Sequence, residues 1–144
     1  MAAPAFFAGQ ITNQTIFIVT FFAALSFSMA SSSIYILNDW FDKESDLLHP
    51  YKKFRPFASG AVSPMSGALM GVLTFGTAIV LSLSLLNNSV FIVIGIYLVL
   101  NVAYTLKLKH FALIDVTCIA VGFVLRLFAG STATGITLSS WIVT

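Results

Sequence analysis

The sequence predicts an all-α integral membrane bundle, and three observations predict it. Hydrophobic residues make up 58% of the 144 and charged residues only 8%, against about 25% charged in an average soluble domain. Side-chain charge is absent from Met1 to Asn38 and again from Pro56 to Leu106. The cations that remain fall into clusters that alternate with the apolar runs. Seven Lys/Arg and five Asp/Glu cannot cover a water-soluble domain, and the composition equally excludes disorder, a coiled coil and a collagen-like chain. Seven cations are also too few for a nucleic-acid surface.

Met1–Gly9 is apolar but too short to cross a bilayer. It has no basic n-region and no break in apolar character, so it does not read as a secretory signal. Four full spans follow at Ile16–Leu37, Val62–Leu86, Val90–Leu106 and Phe111–Ala129. Each is close to the roughly 20 residues, range 17–25, that a spanning helix needs. None shows the sustained alternation of a membrane barrel strand. Small residues (Ser31–Ser33, Gly67, Gly71, Gly76, Gly122) suit close helix packing in lipid. Leu138–Thr144 opens like a further span. The chain is therefore expected to be one membrane domain, residues 1–144, with partial helices at both ends, belonging to a larger bundle. The single cysteine, Cys118, lies in an apolar run and reads as a small buried hydrophobe.

The cations set the orientation. Lys43, Lys52, Lys53 and Arg55 separate the first two full spans, and Lys107 and Lys109 separate the last two. Two crossings lie between the clusters, so both face one side. By the positive-inside rule that side is cytoplasmic. The uncharged connectors Asn87–Ser89 and Ser131–Leu138 face the other.

Asn38-Asp39-Trp40-Phe41-Asp42-Lys43-Glu44-Ser45-Asp46 follows directly on the first full span. At about 100° per residue, Asp39, Asp42 and Asp46 fall within a roughly 60° arc if the helix continues. Aligned carboxylates repel unless a cation joins them, and a helix C-terminus disfavours negative charge. Hard oxygen ligands of this kind suit Mg²⁺, with Asp39, Asp42 and Asp46 as the metal ligands and Asn38 assisting. The loop His49–Gly60, bounded by Pro50 and Pro56, is expected to be stiff and non-helical. Its Lys52, Lys53 and Arg55 are suited to anionic oxygens. Taken alone, the basic run reads as a topology or headgroup signal; beside three aligned acids it describes a diphosphate site. His49 reads as a loop contact.

These residues resemble the UbiA superfamily of intramembrane prenyltransferases, whose signature N-D-x-x-D-x-x-x-D is met by Asn38, Asp39, Asp42 and Asp46. The loop ending of that family is met by Arg55-Pro56-Phe57-Ala58-Ser59-Gly60. The spacing His49-Pro50-x-Lys52-x-x-Arg55-Pro56 is similar to the polyprenyl-phosphate phosphoribosyltransferase branch. So are Tyr104-x-x-x-Leu108-Lys109-His110, Asp115-Val116 and Gly122-Phe123-x-Leu125-Arg126. The resemblance implies a larger helical bundle with a second Asp-rich loop, in a bacterial cytoplasmic membrane. It implies a diphosphate donor, phosphoribosyl pyrophosphate in this branch, and a polyprenyl phosphate acceptor. Asp39, Asp42, Lys52 and Arg55 would then carry the chemistry. Asn38, Lys53, Tyr104, Lys109, Asp115 and Arg126 would contact substrate.

Several of these residues also have plainer readings. Tyr104 and Lys109 are ordinary interfacial anchors, and His110 a loop residue. Asp115 suits a first helical turn. Arg126, about 16 Å further along the same face, suits an interhelical partner, snorkelling or a lipid phosphate. Asn101 is expected to bond another helix. Other functions remain open at this point: a prenyltransferase acting on an aromatic or other lipid-soluble acceptor, an inactive fragment, or a transporter subunit. The last would place its carboxylates near the bilayer midplane, whereas these cluster at one edge.

Overall fold

A computed structural model describes residues 1–107 and 112–138, with the backbone alone at 112, 113 and 115. The elements are α1 (Ala3–Phe7), α2 (Gln14–Phe41), α3 (Lys43–Leu47), a 3₁₀ turn (Lys52–Phe54), α4 (Pro64–Leu85), α5 (Asn88–Leu106) and α6 (Ala112–Thr134). No strand occurs among the described residues. Helices α2, α4, α5 and α6 are long and apolar enough to cross a bilayer. The fold is thus an all-α membrane bundle, as the composition predicts.

Polar caps start three of the spans. Asn13 accepts from the N–H groups of Thr15 and Ile16 ahead of α2, and Asn87 from that of Val90 ahead of α5. Ser63 accepts from Ser66 N–H, with Pro64 in the first helical position of α4. Each cap satisfies donors that the first helical turn leaves unpaired. The spans begin and end close to the expected bounds, with two extensions. α2 runs one turn beyond Leu37, and α6 continues past Ala129 to Thr134. The segment Met1–Gly9 folds as the short α1, which packs on α6. Beyond Leu138, the expected further span lies outside the described residues.

α2 is the hub. It packs along α4 and also meets α5 and α6, while α4 and α5 touch only briefly. Phe27, Ala30 and Ile34 of α2 meet Ala78, Ile94, Tyr97, Leu98 and Ala129 in the buried core. The Phe27 and Tyr97 rings pack at a mutual tilt of 48° with centroids 4.4 Å apart. Ser26 Oγ donates to the Ala78 carbonyl at 2.9 Å, a buried bond between α2 and α4. Asn87 Nδ2 donates to the Thr132 carbonyl at 2.6 Å and ties the α4–α5 connector to the end of α6. The outer face of α4, with Leu69, Val72, Leu73 and Val80, is exposed, as befits a lipid-facing surface.

The small residues divide. A Cβ on Gly67 would collide with the Phe57 ring, and one on Gly71 would rest 3.5 Å from Ile36. Gly71 lies at the α2–α4 contact, where the expected close helix approach occurs, whereas Gly67 makes room for the loop residue Phe57. Gly76 faces open space, so it serves no packing among the described residues. Gly67→Val should therefore lower the thermal midpoint of the detergent-solubilised protein, at a cost of about 1–3 kcal/mol from overpacking against Phe57. Gly76→Ala should leave the midpoint unchanged or raise it, since Ala is the better helix former.

Candidate functional site

The site is built where α2 ends. The helix carries Asn38 and Asp39 on its last turn and stops at Phe41. Asp42 stands at the joint with near-helical dihedrals (φ −86°, ψ −2°). Its N–H donates to the Asn38 carbonyl at 2.9 Å, and Asp46 N–H donates to the Asp42 carbonyl at 2.8 Å. These two bonds carry helical spacing across the joint into α3. Asp39 and Asp46 accordingly remain on one side, as the spacing predicts.

The loop then returns to them. His49 Nδ1 accepts from the N–H groups of Tyr51 (3.2 Å) and Lys52 (3.3 Å), so His49 is the loop contact expected of it. These bonds start the 3₁₀ turn Lys52–Phe54, a helical turn inside a loop expected to be non-helical. Ser59 N–H donates to the Arg55 carbonyl, and Val62 N–H to the Pro56 carbonyl. Gly60, at φ +78°, adopts the left-handed conformation that lets the chain reverse toward α4. Phe57 is the anchor. It is buried, stands over Gly67 and lies 6.0 Å from the Trp40 ring. This plug, two residues after Arg55, fixes where the guanidinium falls.

Arg55 Nη1 donates to Asp39 Oδ1 at 3.3 Å and to Asp46 Oδ2 at 3.0 Å. Asp46 is nearly enclosed, its side chain 4% exposed, whereas those of Asp39 and Arg55 are 30% and 37% exposed. Asn38 Nδ2 donates to Asp42 Oδ2 at 3.3 Å. Among the described residues no three acids converge on one metal-sized point. The physical reason is that Arg55 lies between two of the carboxylates and Asn38 engages the third. The cation that joins Asp39 and Asp46 is the Arg55 guanidinium.

A polar cavity of about 390 Å³ opens at this end of the bundle. Its walls are Asn38 and Asp42 from the end of α2, Ser45 and Asp46 from α3, Lys52 and Arg55 from the loop, and Tyr104 from α5. The expected residues Asn38, Asp39, Asp42, Asp46, Lys52, Arg55 and Tyr104 thus gather at one place, Asp39 through its bond to Arg55. Lys53 instead places its ammonium 5.3 Å from the Phe54 ring centroid. Arg126 lies elsewhere, its guanidinium 5.3 Å from the Phe27 ring and 5.6 Å from the Phe123 ring. Asp115 falls in the first turn of α6, with its side chain outside the described set. Lys109 and His110 are outside the described residues.

Two lesser expectations change. Asn101 donates to the Tyr97 carbonyl of its own helix at 2.8 Å, rather than to another helix, because that acceptor lies one turn away. Cys118 is half-buried and lines a cavity with Tyr104 and Asn101, not a packed core position.

An acidic helix end, a returning basic loop and a polar mouth on a membrane bundle define a class of intramembrane site. Residues 1–144 match the UbiA prenyltransferase family, and the chain belongs to it. It is 40% identical over 122 residues to a decaprenyl-phosphate phosphoribosyltransferase of Mycolicibacterium smegmatis, covering 84% of this chain and 38% of that protein. It is 39% identical over 147 residues to the Corynebacterium glutamicum protein of the same name, covering 99% and 44%. A protein designated y4nM from Sinorhizobium fredii is 39% identical over 123 residues, covering 85% and 24%. The chain therefore spans less than half the length of these curated relatives.

Removing the guanidinium leaves a nearly enclosed carboxylate without its cation. Arg55→Gln should destabilise the protein by about 2 kcal/mol, below the ~3–5 kcal/mol of a fully buried pair because Arg55 is partly solvated. Denaturation of the double variant Arg55→Gln/Asp46→Asn should show part of that loss recovered.

Proposed function

We propose that these residues form the donor-binding half of a Mg²⁺-dependent transferase that moves 5-phosphoribose from phosphoribosyl pyrophosphate to a polyprenyl phosphate. The observation that carries this reading is the meeting of Asp42 and Asp46 with Lys52 and Arg55 at one polar cavity at the end of a membrane-spanning helix, with Asp39 held beside it by Arg55. The likeness to decaprenyl-phosphate phosphoribosyltransferases supports the choice of donor and acceptor.

The donor set fits the metal. Mg²⁺ is usually held by one or two carboxylates plus substrate phosphates, so three converging acids are not required. Asp39, Asp42 and Asp46 supply hard oxygens, and Asn38 assists by donating from Nδ2 to Asp42 Oδ2. Bound there, Mg²⁺ would offset the charge of a diphosphate. The side chains do the remainder. A guanidinium has five N–H donors in a rigid fork, and Arg55, which lines the cavity, spends Nη1 on the two aspartates. Its other donors and the Lys52 ammonium are suited to the leaving diphosphate oxygens. The C1–O bond of ribose breaks toward the diphosphate, and a phosphate oxygen of the acceptor forms the new bond to C1. The acceptor's hydrocarbon would lie in the bilayer beside the bundle. An apolar groove of about 370 Å³, lined by Ile36, Leu37, Trp40, Gly71, Phe75 and Val102, offers it a wall.

Asp39→Asn should reduce transfer of labelled phosphoribose to membrane lipid by about a hundredfold or more, while fractionation shows unchanged membrane insertion. Full activity in that variant would remove Asp39 from the site. Chelation should abolish transfer and added Mg²⁺ restore it. Labelled prenyl diphosphate offered to the same membranes tests the alternative donor. The site is placed at the cytoplasmic face on the positive-inside rule. In a Cys118→Ser background, Lys52→Cys and Lys107→Cys should react with an impermeant thiol reagent from that face, and Ser89→Cys from the opposite one.

A further inference from the structure

Behind the polar mouth lies a second, smaller cavity of about 240 Å³. The two share Asn38 and Tyr104, so the inner cavity continues from the mouth. Tyr35, Asn101, Thr105 and Cys118 contribute to its wall. By itself it is smaller than the ~300–1,000 Å³ pockets of drug-sized ligands, with room for one ring or short group beside the mouth; on its far side it shares Tyr35, Asn101, Cys118 and Ile119 with a further cavity of about 200 Å³.

Two of its polar atoms are buried without a hydrogen-bond partner among the described residues: Thr105 Oγ1 and Asn38 Oδ1. Thr105 is 2% exposed. Thr20 Oγ1 and Ser31 Oγ on α2 are likewise buried and unpaired, but neither belongs to this cavity. Thr74, Thr77, Thr132 and Thr134 all turn their hydroxyls back to the carbonyl four residues earlier in their own helix, the ordinary way to satisfy a helical hydroxyl in apolar surroundings. Thr105 has the same option and makes no such bond. Asn38 is oriented by its neighbour: its amide nitrogen donates to Asp42 Oδ2, which leaves the oxygen as the unused end. A buried polar atom left unpaired costs free energy and calls for a partner.

We infer that this inner cavity is a sugar subsite, in which Thr105 Oγ1 and Asn38 Oδ1 bond the ring hydroxyls of a pentose whose diphosphate occupies the mouth. The inference rests on the phosphoribosyl reading above and goes beyond it by assigning the specificity-determining residues. An isoprenoid tail entering from the same diphosphate would leave both oxygens unpaired against hydrocarbon, an unfavourable burial. A site built to bond hydroxyls rejects analogues that lack them.

The test uses the full chain in lipid nanodiscs with Mg²⁺, and compares binding of phosphoribosyl pyrophosphate with that of inorganic pyrophosphate. Thr105→Val, which keeps the shape and removes the hydroxyl, should weaken phosphoribosyl pyrophosphate about tenfold and leave pyrophosphate unchanged. Thr105→Ser should restore wild-type affinity. Unchanged pyrophosphate affinity also reports an intact mouth, and Thr105→Ala replaces the valine variant should that affinity be lost. If the valine or alanine variant binds both ligands as wild type does, the sugar subsite is overturned while the donor assignment stands. If wild-type protein binds a prenyl diphosphate in preference to phosphoribosyl pyrophosphate, or binds neither, the donor assignment fails and the subsite falls with it.

Discussion

Hydrocarbon offers no partner to a polar group, and this constraint organises the molecule. Hydroxyls along α4 and α6 satisfy themselves within their own helices, at Thr74, Thr77, Thr132 and Thr134. Two other polar side chains mark joints. Ser26 crosses from α2 to the Ala78 carbonyl of α4, and Asn87 crosses to the end of α6. Between these ties the bundle is held by interdigitated apolar side chains around α2. Charge is confined largely to one end, where water and headgroups make it affordable.

At that end, local chain geometry does the arranging. A helix that broke cleanly at Phe41 would send Asp46 in an arbitrary direction. The near-helical Asp42 keeps the backbone ladder running into α3, so the acids stay in register. The return of the basic loop depends on an aromatic plug rather than on charge alone. Phe57 seats over a glycine and beside Trp40, and Arg55 follows from its position. A packing event in the apolar layer thereby sets a polar geometry above it.

Much of this was readable in advance, and the reasons are physical. A span needs length and apolarity, both local properties of sequence, so four helices could be bounded to within a few residues. Aspartates three and four apart must share a helical face, so the acidic row was equally legible. The partners of that row were not. Arg55 reaches Asp39 across sixteen residues and Asp46 across nine, and only the course of the loop decides that it bridges both. The same holds for Phe57, whose role appears only against Gly67. Asn101 illustrates the converse: a polar residue in a span suggests a partner on another helix, yet a carbonyl one turn back is nearer. The unpaired hydroxyl of Thr105 leaves no trace in composition or periodicity, because its environment is made by two other helices.

The clasp closing the acidic end is ionic and unevenly wetted. Arg55 and Asp39 are each about a third open to solvent, while Asp46 is almost wholly enclosed. Dissolved electrolyte shortens the reach of exposed charges, from about 8 Å at physiological ionic strength to about 3 Å at 1 M, and touches enclosed ones far less. The arm to Asp39 therefore yields first as salt rises, and the arm to Asp46 holds. The loop is left hinged on its inner acid, loosened in brine while the helices beneath it, bound by dispersion, are unmoved.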